Sequence, residues 1–211
     1  MTVLSQIAYF QNRRDEVPNQ QLAQALAAQQ HVAGIQEIAQ NLGHENPAVQ
    51  SDCLKVLYEI GYLNPLLIAD YVEDFLRLTH SHNNRLVWGS MIALATIAPF
   101  KGEEIAAQFD YLVQLMAQGS VITRDNGMKA LGGAAASHPQ RNTLIFPFLL
   151  QQLATCRPKE VAQYAESVVV AVTPQNKADF VAVVQKRLPD LTPAQSTRVR
   201  KVLKTAEKQG L

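Results

Sequence analysis

The chain is 211 residues long, 47% hydrophobic and 18% charged, with a formal net charge of +1. That length suits one domain with a sizeable core or one short repeat array, and the composition excludes a disordered chain. The near-neutral balance gives no global pull towards nucleic acid or anionic membrane, and two cysteines are no disulfide framework.

In chain order, residues 1–15 lack the uninterrupted apolar run and small-residue cleavage site of a leader peptide. Met1 to Arg14 reads as one helix and the Gln/Ala-rich stretch Asn19 to Gln30 as another. Together, as residues 1–30, they form a degenerate capping pair, because the ends of a helical stack need a polar outer face. From residue 31 helical periodicity dominates and period-2 alternation is never sustained. Ile35, Ile38, Ala39 and Leu42 share one helix face. So do Ile68, Val72, Phe75 and Leu76, and then Ile105, Phe109, Leu112, Val113 and Met116. Asn46-Pro47, Asn64-Pro65 and Thr192-Pro193 each set a capping side chain before a proline suited to a first helical turn, and Gln195 completes a capping box with Thr192. Gly61, Gly102 and Gly119 fall where helices are expected to stop. The most apolar stretch, Ser90 to Phe100, is too short to span a bilayer, so a cytoplasmic protein is expected.

Self-similarity organises these helices. Leu57, Leu94, Leu131, Val169 and Leu203 are spaced by 37, 37, 38 and 34 residues. Four residues before each stand Cys53, Ser90, Gly127, Ala165 and Val199; three after each stand Ile60, Ile97, Ala134, Val172 and Ala206. A helix packed on its partner and on both neighbouring repeats needs such an apolar stripe, with small residues where helices approach closely. The reading is all-α, a right-handed α-α superhelix of about five helical pairs, with units at approximately 31–63, 64–100, 101–138, 139–174 and 175–211.

The residues of these units resemble the HEAT-repeat family, HEAT/armadillo-like α-solenoids. The run Leu144-Ile-Phe-Pro-Phe-Leu-Leu-Gln-Gln-Leu-Ala followed by Val161-Ala-Gln-Tyr-Ala is similar to the family consensus, with Pro147 inside the first helix. Asn46-Pro47-Ala48-Val49 resembles its inter-helix turn, and Thr123-Arg124-Asp125 with Ala130-Leu131-Gly132 its second-helix motif. One departure stands out. The arginine column of the family's Asp–Arg ladder reads Gln50, Val87, Arg124, Ala162 and Ser196, so apolar burial must hold the stack instead.

Catalytic chemistry is not expected, and neither a cofactor nor a metal. His80-Ser81-His82 and His44 lack ligand spacing and a carboxylate cluster. HEAT-type iron hydroxylases repeat His-Glu pairs, whereas this chain has only His44-Glu45. Cys53 lies on a packing face, where a thiol acts as a small apolar group, and Gly132-Gly133 sits within a helix rather than in a phosphate loop.

The resemblance implies an interaction scaffold whose second helices line a concave face. Trp88 stands in an otherwise polar column of Ser51, Trp88, Asp125, Gln163 and Thr197. With Arg85, Ile92, Asp125, Asn126, Lys129 and Tyr164 it makes the candidate contact surface for a protein or peptide. The alternative is a nucleic-acid-associated protein related to HEAT-like alkylbase DNA glycosylases, using the basic C-terminal patch Arg198, Arg200, Lys201, Lys204 and Lys208. Residues 1–110 carry 12 acids and 6 bases (net −6), and residues 111–211 carry 6 acids and 13 bases (net +7), an asymmetry that also admits head-to-tail self-association.

Overall fold

The computed structural model describes residues 2–208, which form helices, 3-10 turns and connecting turns with no β-strand among them. Two compact units divide the chain, Met1–Glu104 and Ile105–Leu211.

In the first unit α1 (Val17–Ala28) and α2 (Val32–Gln40) precede the long α3 (Pro47–Leu63), followed by α4 (Val72–Leu78) and α5 (Asn84–Ile97). α3 is the hub: it packs against α1, α2 and α5, and α4 packs against α5. Its start is dictated locally. Asn46 Oδ1 accepts the Ala48 N–H at 2.9 Å, and Pro47 occupies the first turn, where its missing N–H costs nothing. In α2 the cap is unusual: His31 Nδ1 accepts the Gly34 N–H at 2.8 Å.

The N-terminal stretch differs from the single helix expected over residues 1–14. Only Val3–Gln6 is helical, as one 3-10 turn. The reason is competition for its backbone donors. Glu37 takes the Val3 and Leu4 N–H groups at 3.2 Å each, buried Asn19 takes that of Ala8 at 2.8 Å, and Asp52 takes that of Tyr9 at 2.8 Å. Glu37 thus serves first-turn donors that a helix leaves open, while Asn19 and Asp52 divert the Ala8 and Tyr9 donors that a longer helix needs.

The short α6 (Gly102–Ala107) leads into the second unit, which contains α7 (Phe109–Gln118), α8 (Val121–Ala136), α9 (Pro139–Thr155), α10 (Pro158–Val168), α11 (Lys177–Arg187) and α12 (Pro193–Lys208). α8 packs on α7, α9 and α10; α9 on α10 and α11; and α12 on α10 and α11. The apolar run from Ile105 to Met116 is therefore not one helix: it breaks at Gln108, whose N–H bonds back to Ile105 O. Pairing α2 with α3, α4 with α5, α7 with α8, α9 with α10 and α11 with α12 reproduces the five helical pairs expected from the repeat.

The repeat columns are the core. Leu57, Leu94 and Leu131 are fully buried, as are Cys53, Ser90, Ala165 and Val199 from the small-residue column. Val169 lies in a 3-10 turn that closes α10, and Leu203 is half-buried on the last helix. The glycines separate into different roles. Gly119 ends α7 as expected. Gly61 does not end α3; it lies within the helix, where an added Cβ would stand 2.3 Å from Thr96 Oγ1 and 2.8 Å from Ile68 Cδ1. Gly102 begins α6 rather than ending a helix. Gly132 faces α10 so closely that a Cβ would stand 2.2 Å from Ser167 O.

One buried charge closes the second unit. The Arg187 guanidinium, at the end of α11, donates to the carbonyls of Leu153 and Ala154 at 2.9 Å and of Cys156 at 2.7 Å, while Asp190 pairs with its Nε at 2.8 Å. It satisfies the last carbonyls of α9, where the helix dipole favours a cation. Asn142 is a second buried lock. Its Nδ2 reaches Ala171 O at 2.7 Å, and its Oδ1 accepts from Asn176 Nδ2 at 2.9 Å.

Two expectations follow. Gly132→Ala lowers unfolding stability by about 2 kcal/mol, because the obstacle is backbone and cannot swing aside, whereas Gly43→Ala, with open space around it, stays within about 0.5 kcal/mol. Arg187→Ala strands three carbonyls and costs about 3 kcal/mol. Urea unfolding followed by circular dichroism measures both; equal effects of the two glycine variants contradict the close-packing account.

Candidate functional site

The first unit gathers aromatic and charged side chains from α3, α5 and the start of α1. Lys55 is buried, at 7% exposure, despite its charge. Its ammonium lies 2.6 Å from Glu59 Oε1, 3.0 Å from Glu16 Oε2 and 4.8 Å from the centre of the Tyr58 ring. Burial works against this charge, but the hydrogen bonds it donates to Glu59, Tyr58 and Glu16 outweigh it and raise the lysine above its ordinary range. Glu16 also reaches Arg85 Nη2 at 2.8 Å, so one carboxylate bridges two cations.

Beside this cluster runs a row of rings. Tyr58 stands 6.5 Å from Trp88 and 6.2 Å from Tyr62, tilted against the first and edge-on to the second. Tyr58 is buried, Trp88 is half-buried, and Tyr62 is 57% exposed. Burial pushes the Tyr58 and Tyr62 phenols up; for Tyr62 the Glu59 carboxylate adds to the effect, whereas for Tyr58 Lys55 opposes it. Exposed and half-buried rings backed by a buried one are a composition found at recognition surfaces.

The expected contact residues separate by burial. Arg85 and Lys129 are exposed, and Trp88 and Asp125 half-buried. Ile92, Asn126 and Tyr164 are buried, which corrects their assignment to a contact surface. Ile92 lies on the packing side of α5. Asn126 Nδ2 donates to Ile122 O at 2.9 Å within its own helix. Tyr164 is sealed between helices, its phenol pushed up to about 12 by burial, then by Glu160 and Asp125. Lys55, Tyr58, Tyr62, Glu16 and Glu59 were missed. The periodic pattern marks Lys55 and Tyr58 only as helix positions, and Glu16 reaches them from about forty residues away.

In the second unit Arg157 and Glu160 pair across the first turn of α10, and Glu160 Oε2 accepts the Arg157 N–H at 3.1 Å. The arginine holds that carboxyl below its usual range. On α12, Arg198 is committed to Glu166 of α10 through two bonds of 3.0 and 2.6 Å. Arg200, Lys201, Lys204 and Lys208 are exposed, with no ion pair among the described residues.

No three of His, Cys, Asp and Glu come together as a metal set among the described residues. His44 serves its turn, accepting the Asn46 N–H on Nδ1 at 3.0 Å, and His138 caps α9 through the Gln140 N–H. Burial, then Asp52 and Glu37, pushes the Cys53 thiol up to about 12. No helix among the described residues is long and apolar enough to cross a membrane.

No family model matches the chain, and none of the curated proteins matches it. Solved structures do. An engineered protein aligns over 100% of this chain and 98% of its own, with a TM-score of 0.67 and 18% identity. A designed armadillo repeat protein in complex with the peptide (KR)4 aligns over 98% and 97%, with a TM-score of 0.65 and 14% identity. A second designed armadillo repeat protein has a TM-score of 0.63 and 12% identity over 97% and 98%. The fold is therefore an all-α solenoid of the HEAT/armadillo-like helical-repeat class, with about five repeats.

Two measurements probe the site. Lys55→Met keeps the packing and removes the buried charge, and the partly exposed Glu16 and Glu59 carboxylates turn to water, so stability changes by less than about 1 kcal/mol. The double variant Glu16→Gln/Glu59→Gln leaves a buried ammonium without a carboxylate and costs about 3 kcal/mol. In the native protein at pH 8, iodoacetamide labels Cys156 and spares Cys53 until unfolding, as mass spectrometry of the labelled peptides reads directly.

Proposed function

We propose that this chain is a non-enzymatic, cytoplasmic scaffold that binds a protein or peptide on its second helices, docking at the Trp88–Tyr58–Tyr62 row. The row itself carries the reading: half-buried Trp88 and exposed Tyr62 stand on either side of the buried Tyr58 that backs them both, with the cations beside them already neutralised within the chain. Such a surface offers a partner apolar area at little conformational cost. Support by analogy comes from the designed armadillo repeat protein of the same fold, which holds a (KR)4 peptide. Within this reading Arg85 and Trp88 are the direct contacts on α5. Half-buried Asp125 and exposed Lys129 stand on α8 of the second unit.

The alternative, contact with nucleic acid, rests on the exposed Arg200, Lys201, Lys204 and Lys208 alone. Only about four phosphates are within the means of such a face, which supports weak and strongly salt-dependent binding.

The chain's single tryptophan is also the reporter. Screening short peptides, (KR)4 among them, by Trp88 emission is expected to yield binders that shift it. A label on the same peptides should then show at least about a tenfold loss of affinity for Trp88→Ala. Undiminished binding to Trp88→Ala removes this face from the proposal. A salt-sensitive shift of labelled single-stranded DNA that survives Trp88→Ala and disappears on substituting the four α12 bases favours the alternative.

A further inference from the structure

We infer that the partner bears a carboxylate beside an apolar side chain, and that Glu16 holds that carboxylate's place in the free chain. The inference rests on the docking reading above and names the chemistry of its partner. Glu16 stands at the N-cap of α1, yet its side chain makes no bond to that helix; Asp15 Oδ1 takes the Val17 N–H instead, at 3.1 Å. Its carboxylate turns to the face of α3 and α5, 2.8 Å from Arg85 and 3.0 Å from Lys55. With Glu16 in place, two cations meet two carboxylates, Glu16 and Glu59. Without it, Lys55 keeps Glu59 while Arg85 loses its carboxylate, three residues from Trp88 on α5.

The Arg85 geometry favours exchange. Only Nη2 of its guanidinium bonds to Glu16, leaving most of the planar fork for a partner. An incoming carboxylate can engage that fork with two parallel bonds, which is the stronger arrangement. Both side chains are open to approach, with 47% of Arg85 and 39% of Glu16 exposed. Lys55, in contrast, stays buried and keeps Glu59 throughout. The other acids of this unit are partly committed: Asp74 to Arg77, and Asp70 and Glu104 to Lys101. A carboxylate partner thus meets a local cation at Arg85, with half-buried Trp88 one turn on along α5, backed by Tyr58, to take an apolar neighbour. Glu16 acts as an internal competitor that lowers the apparent affinity by the fraction of time it occupies the site.

The test uses three labelled eight-residue peptides with blocked ends, alternating Leu with Glu, Gln or Lys, at 0.15 M salt, where distant charges are screened. Anisotropy and Trp88 emission are read for wild type, Glu16→Gln and Arg85→Gln, each checked for native helicity. Glu16→Gln should bind the Glu-Leu peptide about fivefold tighter than wild type, the factor an exposed ion pair supplies, with the Gln-Leu peptide unchanged. Arg85→Gln should lose the preference for Glu over Gln. Equal affinity for Glu-Leu and Gln-Leu in all three proteins, or tightest binding of Lys-Leu, overturns the inference and leaves the docking reading standing. If no peptide perturbs Trp88 in any protein, both fall.

Discussion

Close approach of neighbouring helices is the constraint on which the rest depends. In the first unit Gly61 admits Thr96 and Gly89 admits Leu54; in the second Gly127 admits Met116 and Gly132 admits the Ser167 carbonyl. At each position even a methyl group would collide. The helices therefore meet at close range, and large apolar residues such as Leu57, Leu94 and Leu131 are fully buried beside these contacts. No Asp–Arg ladder runs through the repeats, so this contact carries the stacking within each unit.

Polar groups then finish what apolar packing starts. Arg187 closes the carbonyl end of α9, Asn142 ties α9 to the turn after α10, and Glu37, Asn19 and Asp52 bind the backbone of the first segment. Each is a side chain satisfying backbone groups that the helices leave open. The Lys55 cluster follows the same rule by another route. A charge carried into the helix interface is tolerated because two carboxylates and a ring surround it. These neutralised charges also leave aromatic area as the distinctive feature of that face.

Much of this was legible in the sequence. The 37-residue spacing, the small-residue column and the capping signals at Asn46-Pro47 and Thr192 identify helices, pairs and core, because each depends on local periodicity and short-range chemistry. The same signals misread Gly61, Gly102 and residues 1–14. A glycine that permits close packing and one that ends a helix look alike in sequence, and the donors of Val3, Leu4, Ala8 and Tyr9 are claimed by side chains far along the chain.

For the candidate site the division is sharper. The sequence alone marked Trp88 as an aromatic in a polar column and Arg85 one turn before it, and it set both on a second helix. Only tertiary structure decided that Ile92, Asn126 and Tyr164 face inward, that Tyr58 and Tyr62 extend the aromatic row, and that Glu16 lies on Arg85 and Lys55. The physical reason is range. Periodicity states which residues share a face of one helix, whereas burial and ion pairing depend on which other helix covers that face. That information arises when distant segments pack.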